Sequence, residues 1–168
     1  MRIYVGMGCF WGVQKLFDAL PGVKATRVGY MGGTVENPGY MRVCTGSTGH
    51  AEILEIDYDE TVISTQEILR AFWENHDPTQ GDRQGNDRGS QYRSAIYYTD
   101  PEQGSLAQET AAAYEAALGN AGYGRVTTEI LPATQAGLFW EAEEYHQKYL
   151  EKNPGGYCPT HATGICLA

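Results

Sequence analysis

The stretch "RIYVGMGCFWGVQKLFDAL", residues 2–20, contains two different hydrophobic patterns that are joined by glycines. Residues 2–8 are a short β-branched and aromatic run ending in glycines, which is typical of a strand that leads into a turn. The apolar positions that follow have helical spacing, and they are Phe10, Val13, Leu16, Phe17 and Leu20. A strand, a tight turn and a helix are therefore predicted, with Cys9 where the helix begins.

An alternation of strands and helices continues outward from this stretch. Further strands are predicted at 23–30, 51–59, 92–99 and 127–131, and further helices at 64–76, from Pro101 to about Leu118, and at 140–152. Ser64 and Glu67 have the spacing of a capping box at the start of their helix. The element order predicts an α+β fold, a two-layer sandwich with a mixed β-sheet, flanking helices and long functional loops.

Length and composition predict a single globular domain over residues 1–168. The 168 residues suffice for one hydrophobic core, and the 21 glycines exceed the ordinary share, which indicates a fold rich in loops. Residues 154–168 follow a Pro-Gly-Gly sequence, show no periodicity and carry two cysteines. We interpret this segment as an aperiodic C-terminal tail.

Charge and hydropathy exclude several classes of partner. The 12 basic and 21 acidic residues give a net charge of −9, which repels nucleic acid and anionic membrane surfaces. The sequence has no run of 18 apolar residues, and its first 20 residues lack the cleavage site of a signal peptide. We therefore expect a cytoplasmic protein that binds neither nucleic acid nor a membrane.

Four cysteines are too few for a disulfide scaffold, so catalytic or metal-binding use has to be considered. Cys9 in "GCFWG" is predicted at the first turn of a helix, where the helix dipole favours the thiolate and lowers the pKa. Phe10 and Trp11 offer an apolar wall beside the sulfur that suits a methyl group. The alternative is a structural cluster in which the cysteine and the two aromatic residues only fill the core.

Two long polar segments, 37–52 and 72–98, carry further candidate residues, namely Tyr40, Glu52, His76, Asp87 and Tyr92. Such loops are uncommon without a function. Each residue also has a structural interpretation. Glu52 would be a solvated carboxylate, Tyr92 would pack on a sheet, and His76 would help to close a helix.

Five motifs together resemble the A-type peptide methionine sulfoxide reductases over nearly the whole chain. They are "GCFWG", "GYMGG", "NPGYMRVCTGSTGHAE", "FWENHDPTQGDRQGNDRGSQYRSAIYY" and "EEYHQKYLEKNPGGYC". The resemblance implies reduction of the S-epimer of methionine sulfoxide, free or in oxidised proteins. It also implies thioredoxin as the reductant and no metal or organic cofactor.

The resemblance also implies roles for individual residues. Cys9 corresponds to the nucleophile, Phe10 and Trp11 hold the substrate methyl, and Glu52 donates a proton. Tyr40 and Tyr92 bind the sulfoxide oxygen, Asp87 is a substrate-pocket acid, and Cys158 and Cys166 are the recycling cysteines. The implied cycle passes through a sulfenic acid on Cys9 and intramolecular disulfides.

This sequence departs from the family pattern at a few positions. Pro159 and His161 stand in a tail that is usually rich in glycine, which predicts a stiffer tail around Cys158 and Cys166. Gly39 precedes Tyr40 where threonine is usual, and this change loosens the loop. Cys44 lies outside the nucleophile motif and is interpreted as a buried structural thiol.

Three alternative functions have support in the sequence. Cys158, His161 and Cys166 have spacings compatible with a zinc-stabilised interaction module, although a fourth ligand is missing nearby. Gly6-Met7-Gly8 follows a predicted strand as a nucleotide-binding loop would, but Gly12 falls one place beyond the required spacing. A thiol peroxidase would share the sulfenic acid step without needing a methyl-shaped wall.

Overall fold

A computed structural model describes residues 1–158 and 161–168, which form a β-sheet with helices around it. The strands are β1 Arg2–Met7, β2 Val23–Met31, β3 Ala51–Tyr58, β4 Arg83–Gln84, β5 Asp87–Arg88, β6 Ser94–Tyr98, β7 Glu129–Pro132 and β8 Trp140–Glu141. The helices are α1 Phe10–Asp18, α2 Tyr40–Cys44, α3 Thr65–Glu74, α4 Pro101–Asn120, α5 Ala133–Ala136 and α6 Tyr149–Lys152. Among the described residues, no helix is both long and apolar enough to span a membrane.

The main sheet has six strands in the order β7-β6-β1-β3-β2-β8. β6 and β7 pair in parallel, whereas the other neighbouring strands are antiparallel. β4 and β5 form a separate two-stranded hairpin. The mixed sheet and its flanking helices confirm the predicted α+β class.

Successive side chains of β3 point to opposite faces of the sheet, and this determines which of them face the helices. Leu54, Ile56 and Tyr58 belong to the larger hydrophobic cluster, which also contains residues of α1, α3 and α4. Ile53 belongs to a smaller cluster on the opposite face of the sheet, together with Ala136 of α5. Because successive side chains of a strand point to opposite faces, the pleat that directs Leu54 toward the helices also directs Glu52 there.

The helices begin in different ways. Ser64 and Glu67 form the predicted capping box at α3, where the Ser64 hydroxyl accepts a hydrogen bond from the Glu67 backbone N–H. Asp100 caps α4 in a similar manner by accepting from the N–H of Glu102. Cys9 occupies the N-cap position of α1, but its side chain makes no capping hydrogen bond. The Cys9 sulfur is therefore not engaged by the first turn of its own helix.

The predicted helix at 140–152 is wrong. Its first residues form β8, which pairs with β2, and a 3₁₀ turn at Glu144–His146 precedes the short α6. The Gln147 side chain accepts from the Val28 N–H at 3.0 Å and donates to the Val28 carbonyl at 2.8 Å. Lys148 has a left-handed φ of 54°. Pairing with the edge of β2 and this backbone turn replace a continuous helix.

Candidate active site

Cys9 lies at the junction between β1 and α1, as the sequence predicts. Gly8 connects the two elements with a φ of +93°, a conformation that strongly favours glycine. A Cβ at Gly8 would also lie 2.8 Å from the Gln84 side chain. The missing side chain at Gly8 thus allows Gln84 of the β4–β5 hairpin to pack against the turn beside Cys9.

The environment of the Cys9 sulfur differs from the prediction. Burial, followed by the charge of Glu52, raises the pKa of the Cys9 thiol well above its ordinary value, while the nearby backbone N–H of Trp11 acts in the opposite direction. The expectation of a lowered pKa is therefore wrong. The side chain of Cys9 is partly enclosed by the protein, and its thiol stays protonated at neutral pH.

Glu52 lies below the start of α1 with only 2% of its surface exposed. Its Oε1 accepts a hydrogen bond from the backbone N–H of Phe10 at 3.1 Å. Burial raises the pKa of Glu52 to about 8, and the charge of Asp87 acts in the same direction. The carboxyl group is therefore mostly protonated at pH 7, next to the residue that carries the thiol.

Tyr40 is the first residue of α2, and Tyr92 is the last residue of the 3₁₀ turn Ser90–Tyr92. The Tyr40 N–H donates to Glu143 at 3.0 Å, and the turn that contains Tyr92 is held by Arg93, whose Nη1 donates to the Ser90 carbonyl at 2.9 Å. Burial raises the pKa of both phenols, with a further contribution from the charge of Glu52. Both side chains are thus neutral O–H donors near the Glu52 carboxyl.

Phe10 and Trp11 form two layers of an aromatic cluster. Phe10 is 1% exposed and belongs to the main core. Trp11 is half-buried and stacks on Tyr149 with ring centroids 3.8 Å apart. The indole N–H of Trp11 donates to Nδ1 of His146 at 3.0 Å, so the ring is fixed on two sides. Trp11 is the more accessible of the two, and both rings pack against His146.

The C-terminal tail brings one of its cysteines to Cys9. Cys158 lines the same small cavity as Cys9, and Tyr157 donates a hydrogen bond to Asp87 at 3.3 Å. Pro159, which was expected to stiffen the tail, lies outside the described residues.

Cys166 is exposed, and contacts on both sides fix the backbone that carries it. The Tyr114 hydroxyl donates to the Ile165 carbonyl at 2.9 Å, and the Leu167 N–H donates to Glu74 at 2.7 Å. The two cysteines of the tail therefore occupy different surroundings, one at the cavity beside Cys9 and the other against α3 and α4.

The sequence of this chain is similar to sequences of one known protein family. A family model described as peptide methionine sulfoxide reductase matches residues 1–165. The chain belongs to this family. A peptide methionine sulfoxide reductase MsrA from Maricaulis maris is 53% identical over 164 residues, which cover 98% of this chain and 74% of the relative.

Solved structures agree with this membership of the peptide methionine sulfoxide reductase family. Methionine sulfoxide reductase A of Corynebacterium diphtheriae has a TM-score of 0.90 and 52% identity, covering 98% of this chain and 80% of that one. The reduced form of Mxr1 from Saccharomyces cerevisiae has a TM-score of 0.86 and 35% identity, covering 96% and 90%. The family match does not favour the zinc-stabilised module or the thiol peroxidase.

Most of the candidate residues of this peptide methionine sulfoxide reductase lie together. Cys9, Glu52, Tyr40, Tyr92 and Asp87 surround one region, since their charges affect the pKa values of one another. His76 lines the cavity beside Cys9, but both of its ring nitrogens are already engaged. It is buried below, where its ring nitrogens contact the Phe72 carbonyl and the Ser94 hydroxyl.

Cys44 also differs from its interpretation as a buried structural thiol. It is half-buried at the end of α2, beside the Tyr40 hydroxyl. The site moreover includes side chains that the sequence analysis did not single out, which are Glu143, His146, Tyr149 and Tyr157. All but Tyr157 lie in the segment wrongly predicted as a helix, and the density of aromatic residues in "YHQKY" is the signal that could have identified them.

Proposed function

We propose that this protein reduces the S-epimer of methionine sulfoxide, free and in oxidised proteins, with thioredoxin as the reductant. The observation that carries the proposal is the placement of the Cys9 thiol next to a buried, protonated Glu52. A sulfoxide is a poor electrophile because its oxygen leaves badly, so a nucleophile and a proton donor are needed together.

In the first step the Cys9 sulfur attacks the sulfur of the sulfoxide while Glu52 delivers a proton to the oxygen. The thiol proton of Cys9 replaces the one that Glu52 gives up. The new bond between the two sulfurs and the bond between the oxygen and the methionine sulfur then break as the hydroxyl group passes to the Cys9 sulfur, which becomes a sulfenic acid. Cys9 is oxidised and the sulfoxide is reduced to methionine, so the step needs no other reactant.

Tyr40 and Tyr92 suit stabilisation of the sulfoxide oxygen as it gains negative charge. Their raised pKa values keep both phenols protonated, and hydrogen-bond donors are what this oxygen needs in the transition state. Asp87 lies at the border of the same region, where Tyr157 holds it. We propose that Asp87 contacts the substrate outside the reacting group.

Truncation of the aromatic wall tests substrate binding. Trp11→Ala should raise KM by about 10- to 100-fold with a smaller effect on kcat, because methyl contacts contribute roughly 1–3 kcal/mol. Phe10→Ala should also weaken binding. Leu138→Ala is the control, since Leu138 is an exposed apolar side chain with 70% of its surface accessible. A fall in kcat with KM unchanged would show that the wall acts on the chemical step instead.

The C-terminal tail, residues 154–168, carries the cysteines that return the Cys9 sulfenic acid to the thiol. Cys158 shares a cavity with Cys9, which supports Cys158 as the first partner in a disulfide. Cys166 would then exchange with Cys158 and present the disulfide to thioredoxin, and its exposure suits that task. A cycle that uses these thiols in reduced form also supports a cytoplasmic location.

Two tail variants should separate the steps of this cycle. Cys158→Ser should still release one methionine per enzyme in a single turnover, whereas its steady-state rate with thioredoxin should fall steeply. Cys166→Ser should release the same methionine, form a disulfide between Cys9 and Cys158, and retain partial recycling. Peptide mapping after one equivalent of substrate measures both results. A first disulfide between Cys9 and Cys166 in the unmodified protein would reverse the assigned order.

Thioredoxin-coupled turnover of the separated S and R epimers tests the proposed function as a whole. We expect turnover of the S epimer alone, and activity on R but not on S would overturn the assignment. Hydrogen peroxide serves as the comparison substrate. Faster turnover of peroxide than of methionine sulfoxide would establish a thiol peroxidase.

A further inference from the structure

His161 lies on the hairpin formed by β4 and β5, although it belongs to the C-terminal tail. Its imidazole ring packs on the backbone of Gly85, which has a φ of +60°, and any Cβ at that position would overlap the ring. The absence of a side chain at Gly85 therefore makes room for the imidazole.

The cavity beside Cys9 is lined by an imidazole ring, one nitrogen of which has no hydrogen-bond partner among the described residues. Cys9, Cys158 and His161 line the same cavity of about 90 Å³. Nε2 of His161 is buried beside Gly85, and among residues 1–158 and 161–168 no group forms a hydrogen bond with it. Since buried polar groups are normally paired, such a nitrogen indicates a proton donor or acceptor that arrives during the reaction.

The other polar side chains that line this cavity are already engaged. Both ring nitrogens of His76 have partners, and burial lowers the pKa of His76 to about 4. Gln84 accepts from the Asp77 N–H and donates to the Asp77 carbonyl. Asn75 donates to the Ala71 carbonyl. His161 is thus the titratable group of the cavity whose nitrogen is available.

We propose that His161 is the acid–base group for formation of the disulfide between Cys9 and Cys158, an inference that rests on the proposed function. The Cys158 thiol gives its proton to the imidazole, and its sulfur attacks the sulfur of the Cys9 sulfenic acid. The S–O bond breaks, and the imidazole returns the proton to the departing hydroxide. One disulfide and one water form from a sulfenic acid and a thiol, so atoms and electrons balance.

Rapid-quench single turnover of His161→Gln separates this step from the first one. Glutamine keeps hydrogen-bonding ability but cannot take a proton from a thiol at neutral pH. We expect methionine release at the rate of the unmodified protein and disulfide formation that is about 10²-fold slower or more. Dimedone, which reacts with sulfenic acids, should trap Cys9 in this variant, and the adduct is measured by mass spectrometry.

A second variant and a control exclude a purely structural role for His161. Added imidazole should restore disulfide formation in His161→Gly in a concentration-dependent manner, which a packing role would not produce. Thr163→Val removes one of the hydrogen bonds between the tail and Tyr114 at a residue that does not line the cavity, and it should form the disulfide at the normal rate.

Three results would overturn the inference. They are an unchanged rate of disulfide formation in His161→Gln, equal slowing in Thr163→Val, and no rescue by imidazole. Absence of methionine release from the unmodified protein would instead overturn the proposed function itself, so the two failures are distinguishable.

Discussion

Cys9→Ser is expected to abolish methionine sulfoxide reduction, including the first turnover. Removal of a catalytic nucleophile lowers the rate by on the order of 10⁶-fold in other enzymes, because no alternative path of similar energy remains. A serine hydroxyl in the same enclosed position is a far weaker nucleophile than a thiol and cannot form a sulfenic acid. The measurement is methionine released per enzyme after one equivalent of substrate, without any reductant.

Cys44→Ser is the matched control for this experiment. Cys44 is also a half-buried thiol, and it lies beside Tyr40 rather than at the start of α1. The same change of sulfur to oxygen at Cys44 should leave a full equivalent of methionine released. Comparable release from Cys9→Ser and the unmodified protein would mean that another cysteine is the nucleophile.

The second large effect is expected for Glu52→Gln. Glutamine keeps the size of the side chain and can still accept the hydrogen bond from the Phe10 N–H, but it cannot deliver a proton. The chemical step should slow by about 10²- to 10⁴-fold while substrate binding stays nearly intact. Glu55→Gln is the control. Glu55 lies on the same strand, but its carboxylate faces the other side of the sheet and pairs with Arg27.

The pH dependence gives Glu52 a second signature. The pKa of Glu52 is raised to about 8, and a general acid works in its protonated form. The single-turnover rate should therefore be full below pH 8 and fall as the pH rises through that value. Glu52→Gln should lose this dependence. An unchanged rate in Glu52→Gln, within a factor of two, would move the proton donor to Tyr40 or Tyr92.

The parts of the fold that local patterns control were predictable. The β1–α1 junction was visible as a change from β-type to helical spacing around Gly8, and the structure places Cys9 there. The predicted alternation of side chains along β3 is also present in the structure, where Leu54 and Ile56 lie in the main core. That alternation fixes the face on which Glu52 lies, because the side chains of a strand are linked by its pleat.

Two features were not predictable because distant residues determine them. The segment 140–152 has enough apolar and charged residues for a helix, but hydrogen bonds between Gln147 and the backbone of Val28 hold it in another conformation. The position of Cys9 at the start of a helix, taken alone, suggested a lowered pKa for its thiol. Burial and the carboxyl group of Glu52 decide the direction of the shift, and both depend on parts of the chain far from Cys9 in sequence.

The start of α1 also links the activity of the protein to its thermal tolerance. Helices α3 and α4 begin on oxygen-bearing side chains that hold the backbone, whereas α1 begins on a sulfur that makes no such bond. A side-chain cap contributes about 1 kcal/mol, a sizeable part of the margin by which a domain of ordinary size stays folded. The start of α1, which carries the reactive thiol, is therefore less stabilised than the starts of α3 and α4. A more heat-stable variant would need a cap for α1 that leaves the Cys9 thiol free.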